Sequence, residues 1–98
     1  MPVDNIENSG PLAAVPQENI VFTDLDGVEG VLVDLDTRKY YQLNETAALV
    51  WRGLEKRRTV EQIAGELATS YDVSPAQAAA SVERLIQNLY VHRLVRSS

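Results

Sequence analysis

Few side chains in this protein are of types that make or break bonds, and their spacing limits what they can do. There is one histidine, His92, and no cysteine. A zinc site needs three or four converging His, Cys or carboxylate ligands, and His92 has no cysteine or second histidine near it. A serine nucleophile would need the same imidazole as its base, and no Gly-x-Ser-x-Gly elbow accompanies it. His92 reads instead as a surface residue near the end of a helix, where its partial charge suits the dipole. Asp24, Asp26, Asp34 and Asp36 crowd carboxylates together without the spacing of a calcium loop. Edge protection and solubility are the roles expected of them. With no glycine-rich phosphate loop either, no cofactor, no metal and no catalysis are expected.

One short segment resembles an active-site signature. Phe22-Thr23-Asp24-Leu25-Asp26-Gly27-Val28 is similar to the Asp-x-Asp-Gly motif of haloacid-dehalogenase-type phosphatases, where the first Asp is a nucleophile and the second a general acid beside magnesium. Those enzymes need a parallel α/β scaffold that brings a later Lys and further acids to the same point. A small antiparallel sheet cannot place them, and Asp26-Gly27 is better explained as a tight hairpin turn.

The elements that position these residues can be read along the sequence. At 98 residues with 45% hydrophobic positions, the chain suffices for one small core. Without disulfides that core holds by packing alone. Residues 1 to 18, with Pro2, Gly10, Pro11 and Pro16 and no sustained period, read as a flexible arm. Residues 19 to 96 read as a single domain. Residues 20 to 25 and 29 to 35 are rich in Val, Ile and Leu, and a turn at Asp36-Thr37-Arg38 leads into a third strand over 39 to 43. In that strand Tyr41 and Leu43 share one face, and Tyr40 and Gln42 the other. Asn44 caps a helix whose apolar face is Ala47, Val50, Trp51 and Leu54, so Trp51 is expected in the core. Thr59 with Gln62, and Ser74 with Pro75 and Gln77, announce two further helices through capping boxes. Gly65 inside the second costs about 1 kcal/mol relative to Ala, which suggests close packing there. Ala79, Val82, Ile86 and Leu89 form the core stripe of the third. The predicted fold is α+β and winged helix-turn-helix-like, a three-stranded antiparallel meander followed by three helices.

Charge is laid out unevenly. Residues 1 to 37 hold eight acids and no Lys or Arg, while residues 38 to 98 hold nine Lys or Arg against six acids. The third helix carries Arg84 as its one base, fewer than a reader of DNA phosphates and bases requires, so no nucleic-acid partner is expected. No apolar stretch approaches the roughly 20 residues of a membrane helix, and no signal-like start precedes the domain. A cytoplasmic protein with no membrane partner is expected.

The outer strand offers a different activity. The third strand of a meander is an edge, and this one carries no Pro and one charge, Lys39. An extended peptide adding to it would gain main-chain hydrogen bonds, with alternate side chains read by pockets. Beside the core stripe of the third helix runs a second line, Ala78, Ser81, Leu85 and Asn88, which can form the other wall of a groove. An exposed Tyr40 or Tyr41 suits contact with a partner.

At this point the chain resembles the PqqD-like proteins, also called RiPP recognition elements. The residues that carry the likeness are Val31-Leu32-Val33-Asp34-Leu35, Tyr41-x-Leu43-Asn44-x-Thr46-Ala47, Val50-Trp51, Thr59-x-x-x-Ile63 and Leu85-x-x-Asn88-Leu89 before Leu94-Val95. The resemblance implies a domain that binds the leader segment of a ribosomally made precursor peptide and delivers it to modifying enzymes. It places the leader on the third strand, against the third helix. By position, Lys39, Tyr40, Tyr41, Gln42 and Leu43 would pair with the leader, and Ala78, Ser81, Val82, Leu85, Asn88 and Leu89 would form the pocket. The strand end looks most like stand-alone proteins of lasso-peptide pathways, which work with a leader peptidase and a cyclase. Members in quinone-cofactor synthesis, which work with a radical enzyme, are the alternative, and a winged-helix DNA-binding regulator is the other class weighed. A monomer is expected, with edge pairing as the route to a dimer. Many relatives have Gly where this chain has Arg38, which implies a different turn there.

Overall fold

The computed structural model describes residues 14 to 97. In chain order the elements are β1 (Val15–Pro16), β2 (Ile20–Asp24), β3 (Gly30–Asp34), β4 (Tyr40–Leu43), α1 (Glu45–Glu55), α2 (Val60–Tyr71), α3 (Pro75–Val91) and β5 (Val95–Arg96). The α+β expectation holds: β2, β3 and β4 form an antiparallel meander in that order, followed by three helices. No helix among the described residues is long and apolar enough to cross a membrane.

The meander follows from side-chain alternation and two carboxylate-held turns. In β3, Gly30, Leu32 and Asp34 are buried while Val31 and Val33 are half-exposed. Between β2 and β3 the hairpin turn expected at Asp26-Gly27 lies within a five-residue loop, residues 25 to 29. Asp24 accepts from the Gly27 N–H at 2.6 Å, and Asp26 accepts from the Val28 and Glu29 N–H groups at 3.0 and 2.8 Å. Gly27 takes φ +86, a region open to glycine. These bonds account for the Asp-x-Asp-Gly segment as a turn. Gly30 has a packing reason: a Cβ there would lie 2.3 Å from the Phe22 ring.

After β3, Asp34 organises the second turn. Its carboxylate accepts from Asn19 Nδ2 at 3.0 Å and from the Asp36 and Thr37 N–H groups at 2.9 and 3.2 Å. Burial alone would raise its pKa, but the N–H groups of Thr37 and Asp36, the Thr37 hydroxyl and the Asn19 amide outweigh it and hold it below the ordinary value. Arg38 adopts φ +65, the left-handed conformation that favours glycine. The arginine thus takes a glycine-type conformation and bears its strain. The register across it is Val33 to Tyr40 and Leu32 to Tyr41.

All three predicted caps form. Asn44 accepts from the Ala47 N–H, and Thr59 and Ser74 make reciprocal capping boxes with Gln62 and Gln77. At the other ends, Arg57 and Arg93 take positive φ just past α1 and α3. There Arg58 N–H bonds the Gly53 carbonyl and Leu94 N–H bonds the Leu89 carbonyl, the paired closure of a Schellman motif. Trp51, Leu54, Val50, Ile63, Val82 and Leu32 are fully buried and form the centre of the core. The Trp51 indole N–H has no partner. Gly53 lets α1 approach α2, since a Cβ there would meet Ile63 at 2.7 Å. Gly65 has open space around it, so the close packing expected at that position is absent.

Two elements were not foreseen. β1 pairs antiparallel with β5, Val15 to Arg96 and Pro16 to Val95, and Gln17 N–H bonds the Leu94 carbonyl. Ala14 and Val15 are buried in the core. The last residues assigned to the flexible arm thus belong to the fold, and residues 1 to 13 lie outside the described residues. A strand of two residues has no periodicity to betray it.

Candidate peptide-binding groove

The backbone of β4 decides what its edge can do. Asp34 donates its N–H to the Lys39 carbonyl at 2.9 Å, so this is a hydrogen-bonded pair. Antiparallel ladders alternate, so Leu32–Tyr41 and Gly30–Leu43 are hydrogen-bonded as well. The other side of β3 agrees. Leu25 N–H bonds the Glu29 carbonyl and Leu35 N–H bonds the Asn19 carbonyl, which turns Val31 and Val33 toward β2. Tyr40 and Gln42 therefore direct their N–H and C=O groups away from the sheet. No strand among the described residues pairs with that side of β4.

Beside this edge lies a groove of about 750 Å³ between β4 and α3. Tyr41, Gln42 and Leu43 form the strand wall, and Ser81, Leu85, Asn88 and Leu89 the helix wall. Asn44, Thr46 and Ala47 line it at the start of α1, and Leu94 lines it just before β5. His92 caps the C-terminus of α3 and places its ring edge-on to Tyr41, with centroids 5.4 Å apart and planes at 67°. Its Nδ1 lies 2.9 Å from the Asn88 carbonyl, which only accepts, so Nδ1 is the donor in this bond. Glu29 and Arg84 supply the groove's formal charges. The ion pairs among the described residues, Arg52–Asp24 and Arg58–Glu66, involve neither.

Seven of the residues singled out from sequence line this groove: Tyr41, Gln42, Leu43, Ser81, Leu85, Asn88 and Leu89. Lys39 and Tyr40 do not line it. Both are exposed beside it, and Tyr40, at 74% exposure, presents its ring on the opposite face of the sheet. Ala78 and Val82 require correction. Both are 0% exposed and sit under α3, where Ala78, Val82, Ile86 and Leu89 form the buried stripe. The helix is turned so that Ala79, expected in the stripe, is half-buried instead. Sequence reasoning missed Glu29, Asn44, Thr46, Ala47, Arg84, His92 and Leu94 as lining residues. Thr46 and Ala47 stood in the motif that follows β4, while Glu29 and Leu94 are brought in by tertiary structure.

Elsewhere, a crevice of about 200 Å³ between the β2–β3 loop, α1 and α2 is lined by Arg52, Lys56, Glu66, Ser70 and Tyr71 among others. Burial, and then the hydrogen bond to Glu45, raise the Tyr71 pKa above its ordinary value. Among the described residues, no three His, Cys, Asp or Glu side chains are grouped to hold a metal ion.

Comparisons with known proteins follow the same lines. No curated protein matches the chain. A solved structure of lasso peptide synthetase B1 complexed with the leader peptide superposes with a TM-score of 0.77 at 25% identity, covering 85% of this chain and 96% of that one. A structure of TbiB1 in complex with the TbiA(beta) leader peptide gives a TM-score of 0.77 at 22% identity, covering 83% and 93%, a likeness of fold. The family model for coenzyme PQQ synthesis protein D (PqqD) matches residues 29–95, well over half of the chain. The strand-to-helix motif, the winged fold and that match have one consequence: this chain belongs to the PqqD family.

Proposed function

We propose that this protein is a non-catalytic recognition protein that binds the leader segment of a ribosomally synthesised precursor peptide. The leader adds as a strand to β4, in the groove against α3, and is delivered from there to modifying enzymes. The observation that carries this is the free β4 edge, with the backbone groups of Tyr40 and Gln42 turned outward beside a groove lined by Tyr41, Leu43, Leu85 and Leu89. Lys39 to Leu43 supply strand pairing; Ser81, Leu85, Asn88 and Leu89 receive alternate leader side chains. The 25%-identical lasso peptide synthetase B1, itself complexed with a leader peptide, supports a lasso-type pathway with a leader peptidase and a cyclase as partners. The protein acts in the cytoplasm as a monomer, without nucleic acid.

A second reading is favoured by the family's own description. A member of the coenzyme PQQ synthesis protein D family would hand its peptide to a radical enzyme in quinone-cofactor synthesis. Both readings use the same groove and differ in the precursor.

The test is a fluorescence-polarisation titration with labelled leaders of precursors encoded beside the gene, and a scrambled leader as control. Micromolar or tighter binding, weakened at least tenfold in Leu85→Asp, is expected. Equal binding of leader and scramble would overturn the proposal.

A further inference from the structure

Two side chains of formal charge line the leader groove, and neither has a counter-charge among the described residues. Glu29 is half-buried there, and the ion pairs Arg52–Asp24 and Arg58–Glu66 do not include it. The acids around it are already engaged: Asp24 holds the Gly27 N–H and pairs with Arg52, while Asp26 and Asp34 hold turns. The Glu29 carboxylate accepts no such bond among the described residues, and residues 18 to 37 hold no Lys or Arg to reach it. Arg84 stands alone for a different reason. Its neighbours along α3 are three and four residues away, Ala80, Ser81, Gln87 and Asn88, and none is charged. Glu83, adjacent in sequence, does not share its face of the helix.

Both charges lie at the same end of the groove. Glu29 precedes Gly30, whose register partner is Leu43, so it stands past Leu43, where β4 enters α1. His92 marks the other end, because its ring packs on Tyr41. Arg84 lies eight residues before His92, about 12 Å back along the helix. Asn44, Thr46 and Ser81 line the charged end with Glu29 and Arg84, while Tyr41, Leu89 and Leu94 make the other end apolar. An apolar wall accepts any side chain that fits and so supplies affinity with little choice. Charges on the two walls discriminate, because the wrong sign is repelled where the right one is attracted.

We propose that Arg84 and Glu29 are the residues that choose among leaders: Arg84 pairs with an acidic leader side chain and Glu29 with a basic one. The inference rests on the leader-binding reading and names the class of peptide that the groove accepts. A strand added to β4 turns alternate side chains toward the groove, so the two charged leader residues lie an even number of positions apart. A leader with the signs exchanged, or with two acids at these positions, meets like charge at one wall and is rejected.

The experiment titrates the full chain, by fluorescence polarisation at low salt, with the labelled leader of the precursor encoded beside its gene. Leader variants reverse each acidic residue to Lys and each basic residue to Glu, one at a time. The protein variants are Arg84→Glu and Glu29→Lys, with an unchanged melting temperature as the check on folding. Each should weaken binding of the natural leader by roughly fivefold or more, because reversal replaces attraction by repulsion. One acid-reversed leader should then bind Arg84→Glu, and one base-reversed leader Glu29→Lys, within about twofold of the natural pair, the coupling that a double-mutant cycle isolates. Charge variants that bind the natural leader as the wild type does, while Leu85→Asp loses it, overturn the inference and leave the leader-binding reading in place. So does weakening that no reversed leader rescues, since a disturbed groove and not a charge pair then accounts for the loss. A wild type that binds the leader no better than its scramble defeats both.

Discussion

Gln42→Pro is the substitution that separates the edge of β4 from its fold. The Gln42 N–H points away from β3, because the hydrogen-bonded pairs of that ladder are Leu32–Tyr41 and Gly30–Leu43. Proline at an outward position of an edge strand deletes no ladder bond. The residue before it is pushed toward extended conformations, which Tyr41 in β4 already adopts. Stability should fall by about 1 kcal/mol or less, from the mismatch between proline's fixed φ and that of a strand. Leader binding loses far more. The carbonyl of the added strand that faced Gln42 is left without a donor, a cost of about 1–3 kcal/mol. With 1.4 kcal/mol per decade, affinity should fall roughly 5- to 150-fold. Fluorescence polarisation and a thermal melt of the same preparation read both effects. Tyr41→Pro is the inverse control, since it removes a β3–β4 bond and should lower the melting temperature markedly. A folded Gln42→Pro variant that binds leader as the wild type does would refute the register or the strand addition.

Other outcomes follow from particular residues. Leu85→Asp places a carboxylate in the apolar part of the groove and should cost about 2 kcal/mol of leader binding, roughly 30-fold, with little change in stability because Leu85 is half-buried. Gly65→Ala should stabilise the protein by about 0.5–1 kcal/mol, a rise of several degrees in Tm, because nothing lies within reach of the added methyl. Arg38→Gly should stabilise by a similar amount, about 0.5–1 kcal/mol, by relieving a positive φ, which denaturant titration can measure. Asp34 has a folded pKa below that of an ordinary aspartate, so its contribution to stability is present above the ordinary value and is lost as pH falls through the folded pKa. The acid limb of a stability–pH profile should therefore flatten in Asp34→Asn.

The helices were legible in the sequence because their signals are local. Asn44, Thr59 and Ser74 each accept from a backbone N–H three residues on, and a cap of that kind can be read without tertiary structure. The facing of β4 was legible for the same reason, since alternation alone separates Tyr41 and Leu43 from Tyr40 and Gln42. The phase of α3 was harder. Ala76, Ala78, Ala79 and Ala80 are all small and apolar, so the first turns of that helix do not say which alanine faces inward. Spacing alone therefore places Ala78 in the groove, whereas it belongs to the core. Glu29 and Leu94 could not be found from pattern at all, because they reach the groove through sheet register and the β1–β5 pairing.

The measurement that bears most directly on strand addition is amide hydrogen exchange of β4 by NMR, with and without leader peptide. Tyr41 and Leu43 donate within the sheet and should be protected in both states, while Tyr40 and Gln42 should exchange freely alone and become protected when leader is bound. Leader binding that leaves the Tyr40 and Gln42 amides unprotected would contradict the account.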